Sequence, residues 1–210
     1  MRTSFLKSLL LSLVGVCFFI SFVCNGLSAP TNNKPSLIVF DLDGCLWKPE
    51  LYDLTRRSKE QSPFTLLPGG TRCRSQAGSV VTLFEDVPAI LKDCDMPLAI
   101  SSRTDQPDWA RELLGKFTLS SGKTLQERMT GPWILESTER KVLHFQRLSD
   151  TTGIPLANMM FFDNDIGNCK SVSRLGVTVG FCPKGIDREI FDKTMSKFPV
   201  KWGVVGLEVK

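Results

Sequence analysis

Short apolar runs alternate with amphipathic segments along most of the chain. The runs predicted as β-strands are residues 37–40, 98–101, 133–135, 159–162 and 177–181. Strands that alternate with helices of 10–15 residues are typical of βαβ units, which build a parallel sheet with right-handed crossovers. The pattern predicts an α/β fold, a three-layer α/β/α sandwich around a central parallel, Rossmann-like sheet.

Five helices are predicted between and after these strands. Asp86 with Pro88, and Asp105 with Pro107, mark the starts of two of them, because a helix accepts proline in its first turn. Apolar residues at helical spacing predict the other three, which lie around residues 142–148, 166–172 and 186–197.

Residues 48–85 interrupt this alternation. They combine mixed charge with Gly69, Gly70, Gly78 and several prolines, and only the stretch SVVTLF is typical of a strand, one half of a hairpin. A long irregular segment in a compact domain is usually functional or disordered. We therefore predict a small hairpin and loop insertion that follows the first strand and overhangs its carboxyl end, with no cap domain.

The first 29 residues differ from the rest. A basic start precedes an apolar stretch at residues 9–24, and small and polar residues follow it, which is the layout of a secretory signal peptide. The stretch is short for a membrane span and long for a signal core. Residues 1–29 are predicted to be a signal peptide, with an uncleaved anchor or an organelle-targeting signal as alternatives. Residues 30–210 are predicted to form the domain, located in the secretory pathway or secreted, with membrane contact only if the segment stays uncleaved.

Composition places the 210 residues among globular proteins, with 42% hydrophobic and 23% charged residues. The net charge of +4 falls to about +2 without Arg2 and Lys7, and no Lys/Arg run is present, so a nucleic-acid partner is not expected. Five cysteines lie outside the N-terminal segment, without CxxC spacing. This indicates buried or free thiols rather than a zinc site or a disulfide framework.

Polar residues follow the predicted strands at the point where each strand ends. They are Asp41 and Asp43 after residue 40, Ser102 and Arg103 after residue 101, Asp163, Asn164 and Asp165 after residue 162, and Lys141 at the start of the helix after residues 133–135. Ligands of open α/β sheets bind beyond the carboxyl ends of the strands. We therefore expect these side chains to face one rim.

The chemistry of this rim suits phosphoryl transfer. Asp41 with Asn164 or Asp165 offers a few hard oxygen ligands, which suits Mg²⁺, an ion that usually keeps several waters. Ser102 and Arg103 offer hydrogen-bond donors for an anion. A divalent metal and anion donors together neutralise the charge of a transferred phosphoryl group.

The single residue between Asp41 and Asp43 has a chemical use as well. Residues i and i+2 of a strand project on the same side, and a turn at Gly44 would let both carboxylates approach one phosphorus atom. One carboxylate could then attack as nucleophile. The other could protonate the leaving oxygen and later activate water.

Four segments carry a family resemblance. FDLDGCLW, ISSRT, RKVLHF and MMFFDND, in this order, resemble the motifs of the haloacid dehalogenase superfamily of phosphatases. More closely, residues 37–181 resemble the small capless magnesium-dependent phosphatases. The resemblance implies hydrolysis of phosphate monoesters through an aspartyl-phosphate intermediate, with Mg²⁺ as cofactor. The substrates that it implies include phosphotyrosine in proteins and sugar phosphates attached to protein, and small phosphorylated sugars stay open.

The resemblance also implies catalytic roles for three residues. Asp41 is implied to be the nucleophile and a Mg²⁺ ligand. Asp43 is implied to be the general acid and base, and to contribute its backbone carbonyl to the metal. Lys141 is implied to keep the nucleophile and the phosphate in register. The family usually has threonine where Cys45 stands.

Four further residues receive binding roles by the same resemblance. Ser102 and Arg103 are implied to bind the phosphoryl group. Asn164 is implied to ligate Mg²⁺, although smaller members of the family often have aspartate at that position. Asp163 is implied either to orient Lys141 or to complete the metal shell.

Two other functions remain as alternatives. The chain could be a catalytically degenerate module of the same fold that only binds phosphorylated partners, but the presence of both Asp41 and Asp43 disfavours this. It could also be a phosphatase of small metabolites. The one histidine, His144, is interpreted as structural, and Trp47 as either a core residue or part of the motif.

Overall fold

The computed structural model of the chain describes residues 34–57 and 62–207, with side chains at all of these except residues 56 and 57. These ranges belong to one compact unit, Asn32–Lys210. The predicted signal segment, residues 1–29, lies outside the described residues. Among the described residues, no helix has the length and apolar character that a membrane crossing requires.

Ten strands and seven α-helices make up the described part. The strands are β1 (Leu37–Phe40), β2 (Trp47–Lys48), β3 (Thr65–Leu66), β4 (Arg72–Arg74), β5 (Val80–Leu83), β6 (Leu98–Ser102), β7 (Trp133–Leu135), β8 (Met159–Asp163), β9 (Thr178–Phe181) and β10 (Val204–Val205). The helices are α1 (Leu51–Arg57), α2 (Val87–Asp93), α3 (Pro107–Lys116), α4 (Leu125–Arg128), α5 (Lys141–Thr152), α6 (Ile166–Ser173) and α7 (Arg188–Ser196), with a 3₁₀ turn at Leu156–Asn158.

Six strands form the central sheet, in the order β10-β9-β8-β1-β6-β7. All neighbours are parallel, and β1 lies between β6 and β8, where Val39 faces Ala99 on one side and Phe161 on the other. The prediction of a central parallel sheet is therefore confirmed. Because β1 is central, the residues that follow it lie between those that follow its two neighbours.

The two faces of the sheet bury two separate apolar clusters. Ile38 and Phe40 pack with buried residues of α2, α3 and α7, whereas Leu37 and Val39 pack with buried residues of α5 and α6. This alternation follows from the pleat of a strand, which directs successive side chains to opposite faces. Helices cover both faces, so the predicted three-layer sandwich is confirmed.

The predicted bounds of the five strands are confirmed to within one residue, and the predicted start of the last helix to within two. These shifts have physical causes. β6 and β8 each extend by one polar residue, to Ser102 and Asp163, because both side chains are buried at the rim of the sheet. The last helix begins at Arg188, because Asp187 caps it and accepts the backbone N–H of Ile190 at 2.8 Å.

The insertion between β1 and α2 is more regular than the sequence indicates. It contains α1 and an antiparallel sheet in the order β2-β5-β4-β3, in which Cys73 faces Val81. The predicted hairpin is confirmed as β4 and β5, and the short elements α1, β2 and β3 accompany it. Strands of two or three residues are too short to give a periodic pattern. Phe64 and Val81 pack into the same cluster as Phe40, so the insertion forms no separate cap domain.

The cysteines among the described residues agree with the prediction. All five are buried and free. The Sγ atoms of Cys45 and Cys182 lie 3.6 Å apart, directly below the turn that follows β1. No disulfide joins any of these five cysteines.

Candidate active site

A cavity of about 390 Å³ opens at the carboxyl ends of β1, β6 and β8. Every site residue predicted from the sequence lines it: Asp41, Asp43, Ser102, Arg103, Lys141, Asp163 and Asn164. The structure therefore brings the predicted set together at one rim. The roles of the individual residues remain predictions, and the geometry below bears on each of them.

Asp41 continues the line of β1 beyond its last residue. Its backbone N–H donates to the carbonyl of Phe162 at 3.0 Å, and its side chain is only 10% exposed. The chain then turns sharply, since the carbonyl of Leu42 accepts the N–H of Leu46 at 2.8 Å. Gly44 adopts a φ of 72° in this turn, a conformation that glycine takes without steric cost.

Lys141 is a buried cation that lies against the carboxylate of Asp41. It is the first residue of α5, and its Nζ lies 2.6 Å from Oδ1 of Asp41 and 3.5 Å from Oδ2 of Asp163. It also donates a hydrogen bond to the carbonyl of Ser101. Burial by itself lowers the pKa of Lys141, but the two carboxylates outweigh burial and raise the pKa above its usual value. The side chain is therefore a permanent ammonium that fixes the orientation of Asp41.

Asp163 is fully buried and uses both carboxylate oxygens within the protein. Oδ1 accepts the backbone N–H of Asp165 at 2.7 Å, and Oδ2 accepts Nδ2 of Asn168 at 3.1 Å. Burial, and after it the repulsion by Asp41, raises the pKa of Asp163, and Lys141 opposes this shift. Of the two roles implied for Asp163, these contacts favour the orientation of Lys141 over metal ligation.

Asp43 has the environment of a general acid. Its Oδ1 accepts Nε1 of Trp47 at 2.6 Å and the backbone N–H of Leu51, the first residue of α1, at 3.2 Å. Burial, followed by the repulsion by Asp41, raises the pKa of Asp43 to about 7, although both hydrogen bonds act in the opposite direction. A carboxyl group with that pKa carries a transferable proton near neutral pH. Trp47 is thus both a core residue and a partner of the site.

Ser102 and Arg103 line the cavity at the carboxyl end of β6. Ser102 is buried, and its Oγ accepts the backbone N–H of Thr104 at 3.3 Å. Thr104 in turn accepts the N–H of Gln106 at 3.1 Å, which fixes the loop before α3. Arg103 is exposed at the mouth of the cavity. A buried hydroxyl and an exposed guanidinium are suitable donors for a phosphoryl group that enters from solvent.

The residues present fit a magnesium ion. In the described ranges, no group of three or more His, Cys, Asp or Glu residues is arranged to hold a metal. The metal ligands predicted from the sequence are not a cluster of that kind, because they combine the Asp41 carboxylate with the Asn164 amide and the Asp43 carbonyl. Mg²⁺ is usually held by one or two carboxylates together with waters and phosphate oxygens, so a set this small beside an open cavity suits it.

Of the two ligands that the sequence offered, the geometry favours Asn164 over Asp165. Asp165 caps α6 and accepts the backbone N–H of Asn168 at 2.9 Å, and its side chain points to that helix. Asn164 lies over the turn after β1, where its Nδ2 would be only 2.3 Å from a Cβ atom at Gly44. This close approach brings the amide next to the backbone of Asp43.

The sequence reasoning missed several residues that line the cavity. These are Glu50, Tyr52, Thr55 and Asn168. Asn168 follows the helix cap Asp165 by three residues, and this spacing is a signal that could have placed it in the first turn of α6. Glu50 and Tyr52 give no such signal, because their position depends on how the insertion folds.

His144 agrees with its structural interpretation. It is buried, and its Nδ1 lies 3.0 Å from Oγ of Ser101. Burial, and after it the ammonium of Lys141, lowers the pKa of His144 to about 4, so the ring is neutral at physiological pH. It supports the strand residue whose carbonyl accepts a hydrogen bond from Lys141.

Comparison with known proteins decides the family. Residues 33–201 match the family model described as Acid Phosphatase. The chain belongs to this family. The human protein named Magnesium-dependent phosphatase 1 is 34% identical over 167 residues, which are 78% of this chain and 87% of that protein. A HAD-like hydrolase superfamily protein of Schizosaccharomyces pombe is 28% identical over 148 residues, which are 69% of this chain and 83% of that protein.

A solved structure supports the fold assignment. It is the N-terminal part of a Bacteroides fragilis protein containing a phosphatase domain, complexed with Mg, and it superposes with a TM-score of 0.52 at 15% identity. The match covers 82% of this chain and 42% of that one. At this identity the similarity concerns the fold alone.

Family membership confirms the coarse predictions made from the sequence. The chain is a magnesium-dependent phosphatase of the haloacid dehalogenase superfamily, with Mg²⁺ as its cofactor and a phosphorylated substrate. The roles of the individual residues, the molecule that carries the phosphate and the location in the cell are proposals.

Proposed function

We propose that the chain hydrolyses phosphate monoesters through a covalent phosphoryl group on Asp41. The observation that carries this proposal is the 2.6 Å contact between Nζ of Lys141 and Oδ1 of Asp41. It fixes one oxygen of a nearly buried carboxylate and leaves the other oxygen for attack. Asp43, whose pKa is about 7, lines the same cavity and has a proton to give.

In the first step, the unbonded carboxylate oxygen of Asp41 attacks phosphorus. A new oxygen–phosphorus bond forms while the bond from phosphorus to the leaving oxygen breaks. The carboxyl group of Asp43 gives its proton to the leaving oxygen, and the alcohol or phenol departs. Ser102 and Arg103 donate hydrogen bonds to the phosphoryl oxygens during this transfer.

In the second step, a water molecule attacks the same phosphorus atom. The carboxylate of Asp43 takes a proton from this water, and the bond between phosphorus and Asp41 breaks. Inorganic phosphate leaves, and both side chains return to their starting protonation states. Lys141 stays charged throughout, so it stabilises Asp41 as nucleophile and as leaving group.

Three groups would hold the metal: the Asp41 carboxylate, the Asp43 backbone carbonyl and the side-chain oxygen of Asn164. When bound, Mg²⁺ supplies positive charge to the phosphoryl oxygens. Asp163 is assigned to the orientation of Lys141, because its Oδ2 lies 3.5 Å from Nζ of Lys141.

The proposed substrates are phosphoryl groups carried by proteins, such as phosphotyrosine. The described part of the chain has no cap domain over the cavity, and Arg103 and Tyr52 are exposed at its mouth. A site of this shape admits a phosphate that is attached to a large carrier. Sugar phosphates on protein amines have the same geometry, and small metabolites are the competing outcome of the test.

The experiment is a phosphatase screen over phosphopeptides, glycated phosphopeptides and sugar phosphates, with and without Mg²⁺. Turnover that needs Mg²⁺ and is lost in Asp41→Asn is the expected result, with higher kcat/KM for the protein-borne phosphates. The conservative control is Asp108→Asn, an exposed site outside the cavity. Equal turnover by Asp41→Asn and the wild type would refute the covalent route, and a preference for free sugar phosphates would refute the substrate class.

The location in the cell is a proposal as well. The basic and apolar pattern of residues 1–29 supports entry into the secretory pathway, or anchoring in a membrane if the segment stays uncleaved. Sequencing the N-terminus of the native protein tests this. A mature chain that begins near residue 30 is expected, and a start at Met1 in a protein found free of membranes would contradict the proposal.

A further inference from the structure

Glu50 lies inside the active-site cavity and has no role in the mechanism above. It immediately precedes α1 and is half-buried in the wall of the cavity. A Cβ atom at Gly44 would lie 3.3 Å from Oε1 of Glu50 and 2.3 Å from Nδ2 of Asn164. The two side chains therefore meet in the space that the missing side chain of Gly44 leaves open.

The contact between Glu50 and Asn164 has a direction. The atom of each side chain that lies nearest to the space beside Gly44 is Nδ2 for Asn164 and Oε1 for Glu50, so an amide donor and a carboxylate acceptor face the same gap. A carboxylate only accepts, and the amide of asparagine donates only through Nδ2. The nitrogen end of Asn164 is thus turned to Glu50, and its oxygen end is turned away from it.

This direction matters because only one end of an amide can bind Mg²⁺. The carbonyl oxygen of asparagine is a suitable hard ligand, whereas its NH₂ group is not a ligand. An aspartate at the same position would need no such control, since both of its terminal atoms are oxygens. A neutral asparagine also lacks the negative charge that an aspartate would bring to the metal.

We propose that Glu50 is a positioning residue for the metal site, which orients the oxygen of Asn164 toward Mg²⁺ and supplies the negative charge that Asn164 lacks. This inference rests on the proposed function, in which Asn164 is a metal ligand. Glu50 acts through Asn164 and does not contact the reacting phosphorus.

Two substitutions separate orientation from charge. Glu50→Gln keeps an oxygen that accepts from Nδ2 of Asn164 and removes only the charge. Glu50→Ala removes both the acceptor and the charge. We expect the dissociation constant of Mg²⁺, measured by calorimetry on the substrate-free protein, to rise about threefold in Glu50→Gln and about tenfold or more in Glu50→Ala.

A double-mutant comparison tests whether the effect passes through Asn164. In Asn164→Asp, two carboxylates would face each other at position 50 and position 164, and no amide needs orienting. Glu50→Ala made in that background should weaken Mg²⁺ binding by no more than the roughly threefold that loss of the charge alone costs. If Glu50→Ala weakens binding by the same factor in both backgrounds, Glu50 acts as a general negative charge and the positioning role is refuted.

The control is Glu85→Ala, an exposed glutamate outside the cavity, which should bind Mg²⁺ as the wild type does. Melting temperatures of the metal-free variants establish that each is folded. Wild-type protein that binds no Mg²⁺ would overturn the proposed function itself. Wild-type binding with no change in Glu50→Ala would overturn only the role of Glu50.

Discussion

At the scale of single residues, Lys141 governs the electrostatics of the site. Its ammonium is buried, and the oxygen atoms around it belong to Asp41, Asp163 and the carbonyl of Ser101. A buried charge is tolerated only when it is paired and hydrogen-bonded. The same pairing leaves two buried carboxylates dependent on one cation.

Replacing Lys141 by methionine should therefore affect stability and turnover together. Methionine fills a similar volume but leaves Asp41 and Asp163 close together without a counter-charge. Removing one partner of a buried ion pair costs about 3 kcal/mol or more, so we expect a loss of that size in the free energy of unfolding. Urea unfolding at pH 7.5, with the exposed Lys92→Met as control, measures it. Equal stability of the two variants would show that the carboxylates do not depend on Lys141.

Asp43 should lower the stability of the metal-free protein at neutral and higher pH. Its pKa rises from 3.8 to about 7 on folding, so between these values the folded state binds more protons than the unfolded state. Stability then falls as the pH rises from about 4 to about 7. Asp43→Asn removes this dependence, and its Oδ1 can still accept the hydrogen bonds from Trp47 and Leu51.

The prediction is that Asp43→Asn is more stable than the wild type at pH 8, by on the order of 1 to 4 kcal/mol, and nearly equal to it at pH 4. Melting temperatures in the presence of a chelator, at pH 4.5 and 8, provide the measurement. The exposed Asp150→Asn serves as control. A difference that is the same at both pH values would mean that the titration of Asp43 is not its cause.

At the scale of elements, the sequence predicted the strands and helices that a local pattern of apolar residues identifies. The central strands β1, β6 and β8 are buried on both faces, and such strands appear in a sequence as continuous apolar runs. The polar residues at their ends were also predictable, because parallel strands bring their carboxyl ends to one edge. α1 and the strands β2 and β3 were not, since they are short and depend on packing against the sheet.

Within the site, the position of Glu50 likewise could not be predicted from the sequence. Glu50 and Asn164 are 114 positions apart in the sequence, and their side chains come together only after the chain folds. The position of Asn168 was closer to predictable, because it follows from the start of α6. Residues on a strand end were thus foreseeable, and residues brought in by the insertion were not.

α1 is the element of the insertion that borders the cavity. Tyr52 and Thr55 line the cavity, whereas residues 66–70 line a separate groove beside residues 118–120. Tyr52 is partly exposed, so it can contact a large substrate beyond its phosphate. Contacts far from the reacting atom contribute to substrate binding and choice.

Tyr52→Ala is therefore expected to lower kcat/KM for a phosphopeptide about three- to tenfold relative to p-nitrophenyl phosphate. The matched control is Leu66→Ala, an equally exposed residue of the same insertion that lies on the other groove. Steady-state kinetics with both substrates give the ratio. If Leu66→Ala shifts the ratio and Tyr52→Ala does not, the outer part of the insertion selects the substrate instead.

At the scale of the whole molecule, one strand connects both halves of the core. β1 contributes Ile38 and Phe40 to the cluster on one face and Leu37 and Val39 to the cluster on the other. Every crossover of the sheet packs on one of these two clusters. The proposed nucleophile, Asp41, is thus the next residue after a central strand that is buried along its whole length.

That placement makes enzyme activity a reporter of complete unfolding. β7 and β10 form the two edges of the sheet and can open without disturbing the strands at its centre. Amide hydrogens of residues 38–41 should exchange with solvent only through global unfolding, while those of β10 should exchange sooner. In a urea titration, turnover should persist after the edges have begun to open and disappear with the last of the secondary structure. An active site on the strands that open first would instead lose its activity while most of the fold was still intact.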